Sequence, residues 1–250
     1  MLQLLEEIEM KLVRRAIFSL FALALCANAL AAESLMVAAA AGYRKPLLEL
    51  FERFRADTGI QVEGVFGNMQ QVMSQTRENS QIVLVIGDRM FLEPTGMFSA
   101  FHPLGKGRLA LITVPGKQLA SLNDLARSEV RKIGIPNRKS TIFGRAAATC
   151  LERLALQEAV APKLVEVATL PQVGAYVATG DLDAGFVNLT EALSQKARIG
   201  GWIEVPAGCH DAIEISAAQV QERQLPDAGR RFLEYLTTPP ARQILDRHGL

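Results

Sequence analysis

The sequence lacks a charge excess of either sign: 27 Lys and Arg stand against 26 Asp and Glu, a net charge of +1. A general nucleic-acid binder would carry a basic surplus, so that class is disfavoured. There is no Gly-x-Ser-x-Gly elbow, no Walker phosphate loop and no Gly-x-Gly-x-x-Gly, although "GVFGNMQ" (64–70) holds two glycines. Its three histidines (His102, His210, His248) and three cysteines show no metal-ligand spacing, so no metal is expected. No low-complexity tract or solenoid-length repeat interrupts the 250 residues, 49% of which are hydrophobic. That is enough apolar chain for one large domain or two small ones.

What is present begins with a leader. "MKLVRRAIFSLFALALCANALA", Met10 to Ala31, has a basic start (Lys11, Arg14, Arg15), a short apolar run from Ile17 to Leu25, and the small-x-small ending Ala29-Leu30-Ala31. This pattern predicts an exported protein cleaved near Ala31 rather than a membrane anchor, for which the run is short. The residues before Met10 carry three glutamates and no leader character, which puts Met10 forward as an alternative start. Leu25 argues against a lipoprotein centred on Cys26. In an oxidising compartment, the remaining Cys150 and Cys209 either pair or stay as two buried or free thiols.

The mature chain alternates strand and helix patterns. "SLMVAAAA" (34–41), "IQVEGVF" (60–66) and "IVLVIGD" (82–88) read as strands. The first helix carries Leu47, Leu48, Leu50, Phe51 and Phe54 and closes at Gly59. A second helix is expected at 69–79; "GRLALITVP" (107–115) follows, and then a helix at 121–126 with Ser121 as its cap. The pattern then restarts, with strands at 131–137, 163–169, 183–188 and 202–206 and helices at 143–156, 171–180 and 189–201, and a C-terminal helical stretch is broken at Pro239-Pro240. Such alternation predicts an α/β fold whose ligand sits beyond the carboxyl ends of strands. Four strand-to-helix junctions end in small or amide residues: Ala41-Gly42-Tyr43, Gly67-Asn68-Met69, Ile142-Phe143-Gly144 and Val187-Asn188-Leu189. Each offers unpaired backbone N–H groups at the positive end of a helix, a setting for an anion. None carries a positioned nucleophile or acid/base pair. An enzyme, which would need one, is therefore the weaker reading, as is a ligand sensor, which would need an output domain. Cys150 lies in an apolar helical run and reads as core. Arg138 and Lys139 read as a solvated loop.

Three segments together resemble one family: "VAAAAGYRKPLLELFERFRADTGIQVEGVFGN", "KLVEVATLPQVGAYVATGDLDAGFV" and the ending "RRFLEYLTTPPARQILDRHGL". They are similar, in order and spacing, to the periplasmic molybdate-binding proteins of ABC importers. The resemblance implies a two-lobed (type II) binding protein, each lobe a mostly parallel sheet flanked by helices. The expected boundaries are residues 32–110 plus 207–250 for lobe 1 and 111–206 for lobe 2, with residues 1–31 as the signal peptide. It further implies a monomer in the periplasm that holds molybdate or tungstate without a resident cofactor and hands it to a membrane permease. The family's ligand contacts fall on Ala41, Gly42 and Tyr43, on Asn68 and Met69, on Phe143 and Gly144, on Val173, and on Asn188. Several of the family's hydroxyl donors are replaced here, by Ala41 or Gly42 and by the two asparagines. The departures mark a divergent branch and leave a different small ligand as the alternative. Asn68 and Asn188 are then expected to turn their amides into the cleft; the competing expectation is that they only cap the helices that follow.

Overall fold

The structure is a computed structural model that describes residues 34–250; the expected leader lies outside the described residues. Two five-stranded mixed sheets, each covered by helices, organise the chain. In the first, the order is β2 (Gln61–Gly67), β1 (Ser34–Ala40), β3 (Ile82–Asp88), β10 (Ile213–Val220) and β4 (Phe98–Gly107). The second runs β7 (Leu164–Val167), β6 (Ile133–Pro136), β8 (Ala184–Asn188), β5 (Leu109–Thr113) and β9 (Gly201–Glu204). In both, the first three strands are parallel and the last two pair antiparallel. The strand in fourth place always arrives from the other sheet: β5 follows β4 and β10 follows β9. The chain therefore crosses between lobes twice, at Gly107–Leu109 and at 205–212.

Strand β3 is buried along its whole length, as a central strand covered on both faces must be. Helix α1 (Arg44–Thr58) buries Leu47, Leu50, Phe51 and Phe54, an i, i+3, i+4, i+7 stripe, whereas Leu48 is exposed. It stops at Gly59, whose φ of 77° a side chain would disfavour and whose N–H closes on Arg55 O. Helix α2 (Met69–Glu78) follows β2, and a short α3 (Arg89–Leu92) follows β3. In lobe 2, α4 (Ile142–Arg153), α5 (Gln157–Val160), α6 (Leu170–Thr179) and α7 (Leu189–Gln195) flank the sheet. Finally α8 (Asp227–Tyr235) and α9 (Pro239–Arg247) return to lobe 1, with Phe232 packed edge-on against Phe51 and Phe54. Pro239 opens α9 at its first helical residue, where a missing N–H costs least.

Some elements differ from the sequence reading. Strand β4, where no element is expected from the sequence, contains Pro103 and Gly105; it lies at the sheet edge and bulges there, where both are tolerated. The helix expected over 189–201 ends at Gln195, because Arg198 N–H turns back to Gln195 O and Gly200 N–H bonds Thr113 O. Residues 122–126 form a 3-10 turn, capped as expected by Ser121. Cys150 and Cys209 form a disulfide with Cα atoms 4.6 Å apart, tying the second crossover to α4.

Candidate functional site

The carboxyl ends of β1, β2, β6 and β7 converge on a cavity of about 30 Å³. Lobe 1 lines it with Ala40 to Tyr43 and Gly67 to Met69, and lobe 2 with Thr141 to Phe143 and with Thr169 and Leu170. No lining residue is charged. The volume admits a few waters or one compact ion, far short of the several hundred Å³ that an organic ligand of drug size occupies.

Three helices of ten to twelve residues start at its wall, and each start is organised by a side chain. Asn68 Oδ1 accepts from Gln71 N–H at 3.0 Å, while Gln71 Oε1 accepts from Asn68 N–H at 3.0 Å. Thr141 Oγ1 accepts from Gly144 N–H at 3.0 Å and donates to Asn137 O at 2.7 Å. Thr169 and Gln172 form the same reciprocal box on α6. These caps use the N-cap and third-residue amides. The main-chain N–H groups of Gln70, Ile142, Phe143 and Leu170, in first or second helical positions, have no partner among the described residues. Three of these donors, those of the lining residues Ile142, Phe143 and Leu170, and three positive helix ends thus meet at one uncharged cavity.

The residues expected from the sequence separate here. Ala41, Gly42, Tyr43, Asn68, Met69 and Phe143 line the cavity; Gly144, Val173 and Asn188 do not. A Cβ on Gly144 would lie 2.2 Å from Pro136 O, so this glycine lets α4 abut the end of β6. Val173 points its side chain at Gly134 and Gly185 in the sheet, and as the fourth residue of α6 it is the first whose amide has an acceptor within the helix. Met69 N–H donates across the cleft to Ser140 O at 2.9 Å. Both asparagines cap: Asn188 Oδ1 accepts from Glu191 N–H at 2.8 Å, and its Nδ2 donates to Gly42 O at 3.1 Å rather than into the cavity. Asn68 Nδ2, by contrast, has no partner among the described residues. Arg138 is exposed and paired with Glu166 at 2.8 Å. Thr141, Thr169 and Leu170 were not expected at the site; the Thr-x-x-Gln spacing at 169–172 was the available signal.

Further ties cross the cleft. Lys45 Nζ donates to Ser194 Oγ at 2.7 Å, and the Arg145 guanidinium lies 5.1 Å from the centre of the Phe91 ring. The Tyr43 and Phe143 rings lie with centroids 6.2 Å apart, tilted by 59°. The Tyr43 hydroxyl is the one buried side-chain polar atom without a hydrogen bond among the described residues. Burial pushes its pKa up, against the opposing influence of the nearby Asn188 side chain. Burial likewise raises the Asp88 carboxyl, although the Met90 N–H it caps and the Arg145 charge oppose this.

The family model for bacterial extracellular solute-binding proteins matches residues 35–250. The chain belongs to that family. The molybdate-binding protein ModA of Azotobacter vinelandii is 28% identical over 234 residues, covering 90% of this chain and 92% of that protein. The solved periplasmic molybdate-binding protein of Azotobacter vinelandii superposes with a TM-score of 0.78 at 24% identity, over 86% of this chain and 97% of that one. The sulfate-binding protein SubI of Mycobacterium tuberculosis shares the fold at a TM-score of 0.71 and 15% identity, over 87% and 86%. These relatives are binding proteins, not enzymes, and as a member of the family this chain is a solute-binding protein that works outside the cytoplasm.

Proposed function

We propose that the chain captures a tetrahedral oxyanion, molybdate or tungstate, between its lobes in the periplasm and delivers it as a monomer to the permease of an ABC importer. The observation that carries this reading is the uncharged cavity lined by Ile142, Phe143 and Leu170, whose amides have no acceptor among the described residues. A desolvated dianion is stabilised by such fixed N–H dipoles without burial of a cation that would itself need solvation. Asn68 Nδ2 adds a side-chain donor at the wall. The small volume favours a compact ion over an amino acid or sugar, and the likeness to ModA favours molybdate among compact ions. Cavity size would then separate molybdate from sulfate.

Thermal unfolding and titration calorimetry against molybdate, tungstate, sulfate and phosphate test the reading. A ligand bound only to the folded state stabilises it by about 2.7 kcal/mol at 100 times its Kd. Molybdate and tungstate should raise Tm at concentrations where sulfate does little. Stabilisation by none of the four would overturn the oxyanion assignment.

A further inference from the structure

We infer that Asn188 is a strut between the lobes that sets the bore of the cavity, and so selects the oxyanion by size without touching it. The inference rests on the oxyanion reading above. Asn188 ends β8 opposite Leu109, the first residue of β5, and the next amide, Leu189 N–H, donates to Arg108 O in the first crossover at 2.8 Å. Its main chain is therefore held at the hinge. Its side-chain oxygen is held too, by the Glu191 amide, and the residue is 1% exposed. With both fixed, Nδ2 has one place to be, and there it meets the Gly42 carbonyl of lobe 1. The amide is divided, its oxygen serving its own lobe and its nitrogen serving the other.

Gly42 is the matching half. It is not among the glycines with positive φ, so no turn demands it. A Cβ there would lie 3.1 Å from Asn188 Nδ2 and 3.4 Å from a Leu170 methyl, both in lobe 2. A methyl at this position would press on the Asn188 amide and ask it to give by a few tenths of an ångström, so the small residue suits the approach of the other lobe. Gly42 and Leu170 also line the cavity, so the separation held by the strut is the width of the site itself.

Two variants at Asn188 keep the cap and remove the strut. Asn188→Asp preserves shape but turns an acceptor toward the Gly42 carbonyl; Asn188→Ser caps α7 but is too short to reach it. Small-angle scattering of the mature protein should show a larger radius of gyration for both. Calorimetry should show molybdate affinity reduced by about tenfold to a hundredfold, the range for one lost hydrogen bond to a buried group. The ratio of molybdate to sulfate affinity should move toward one in Asn188→Ser, which adds no charge. Gly42→Ala should act alike, and its combination with Asn188→Ser should cost no more than either alone, because both break one contact. An unchanged radius with an unchanged anion ratio in Asn188→Ser overturns the strut, as do losses that add in the double variant. Should the wild type bind none of the oxyanions, the oxyanion reading falls. Scattering then decides the strut alone: a larger radius in Asn188→Asp supports it, and an identical radius overturns it.

Discussion

Lobe 1 and lobe 2 share one strand plan but hold themselves together by different chemistry. Lobe 1 is tied by arginines: Arg223 donates to the carbonyls of Thr76, Asn79 and Ile82, Arg242 to that of Leu104, and Arg247 pairs with Glu49. These ties bring the C-terminal part of the chain back onto the sheet where the described residues begin. Lobe 2 holds a disulfide and a carboxylate, Asp183, that gathers Lys117 and the amides of Arg131 and Lys132. Their faces at the cleft differ as well. The first helix of lobe 1 opens on Ala41-Gly42-Tyr43 with no side-chain cap, while α4, α6 and α7 of lobe 2 open on Thr141, Thr169 and Asn188. At its first helix lobe 1 offers a smooth wall, with its side-chain donor confined to Asn68 at the start of α2, while lobe 2 offers a set of fixed donors. If the cleft closes on the oxyanion proposed above, it gains from that asymmetry, since most of the pre-organised donors then sit on one side and the first helix of the other need only come close.

The largest break in the comparison should come from the disulfide. Cys150 and Cys209 are 59 residues apart, and the loop-entropy model assigns such a link about 4 kcal/mol. Replacing both by serine should lower unfolding stability by a large part of that figure, measured by denaturant titration. Hydrogen exchange should show the loss concentrated in α4 and residues 206–212, with the arginine-tied sheet of lobe 1 less affected. Equal loss of protection in both sheets would mean that the lobes unfold as one, and the contrast between them would not be energetic.

Acid should find the second difference. Burial pushes the Asp183 carboxyl up, but the Lys117 ammonium at 2.8 Å and the two amides outweigh it and hold the pKa at about 2, below the ordinary 3.8. A depressed carboxylate pKa stabilises the folded state above the unfolded value, and this contribution is lost as pH falls through 3.8 toward about 2. The shift corresponds to roughly 1–2 kcal/mol once solvent screening is allowed for. Asp183→Asn should therefore be less stable than wild type by that amount at pH 7, with the gap closing near pH 2. A gap independent of pH would show that the hydrogen bonds, not the charge, carry the effect.

The unequal legibility of the molecule in its sequence has the same origin. β1, β3 and α1 follow strict patterns and could be read locally, as could the small residues before each helix. β4 and β10 could not: Pro103 and Gly105 look like a loop until the edge position is known, and β10 finds its partners far back in the chain. At the site, the junctions were visible but the free amides were not. Whether Met69 N–H is available depends on Ser140 O of the other lobe, and an asparagine suited to capping is equally suited to donating. Asn188 is decided only by the Gly42 carbonyl, which is 146 residues away in sequence. The closeness of Gly42 to lobe 2 also gives the small residues around it a packing reason that stands beside the approach of an anion.

The smallest expected effect tests the bare side of the cleft. Tyr43 is 1% exposed, and its hydroxyl, close to Asn188 and to Gly107, makes no hydrogen bond. Leaving a buried hydroxyl unpaired costs about 1–3 kcal/mol, part of which Tyr43→Phe should recover by removing the group while keeping the ring against Phe143. The vacated space subtracts from the gain, so the expected result is a rise in stability of up to about 1 kcal/mol. Molybdate affinity should not change, because the hydroxyl is directed at the hinge strands and Asn188. The corresponding hydroxyl in lobe 2, that of Thr141, is fully engaged as a cap, and no such gain is available there. A fall in both Tm and affinity in Tyr43→Phe would show that this hydroxyl turns to the anion on binding. Lobe 1 would then contribute a side-chain donor from its first helix, and the division between a smooth wall and a donor wall would no longer hold.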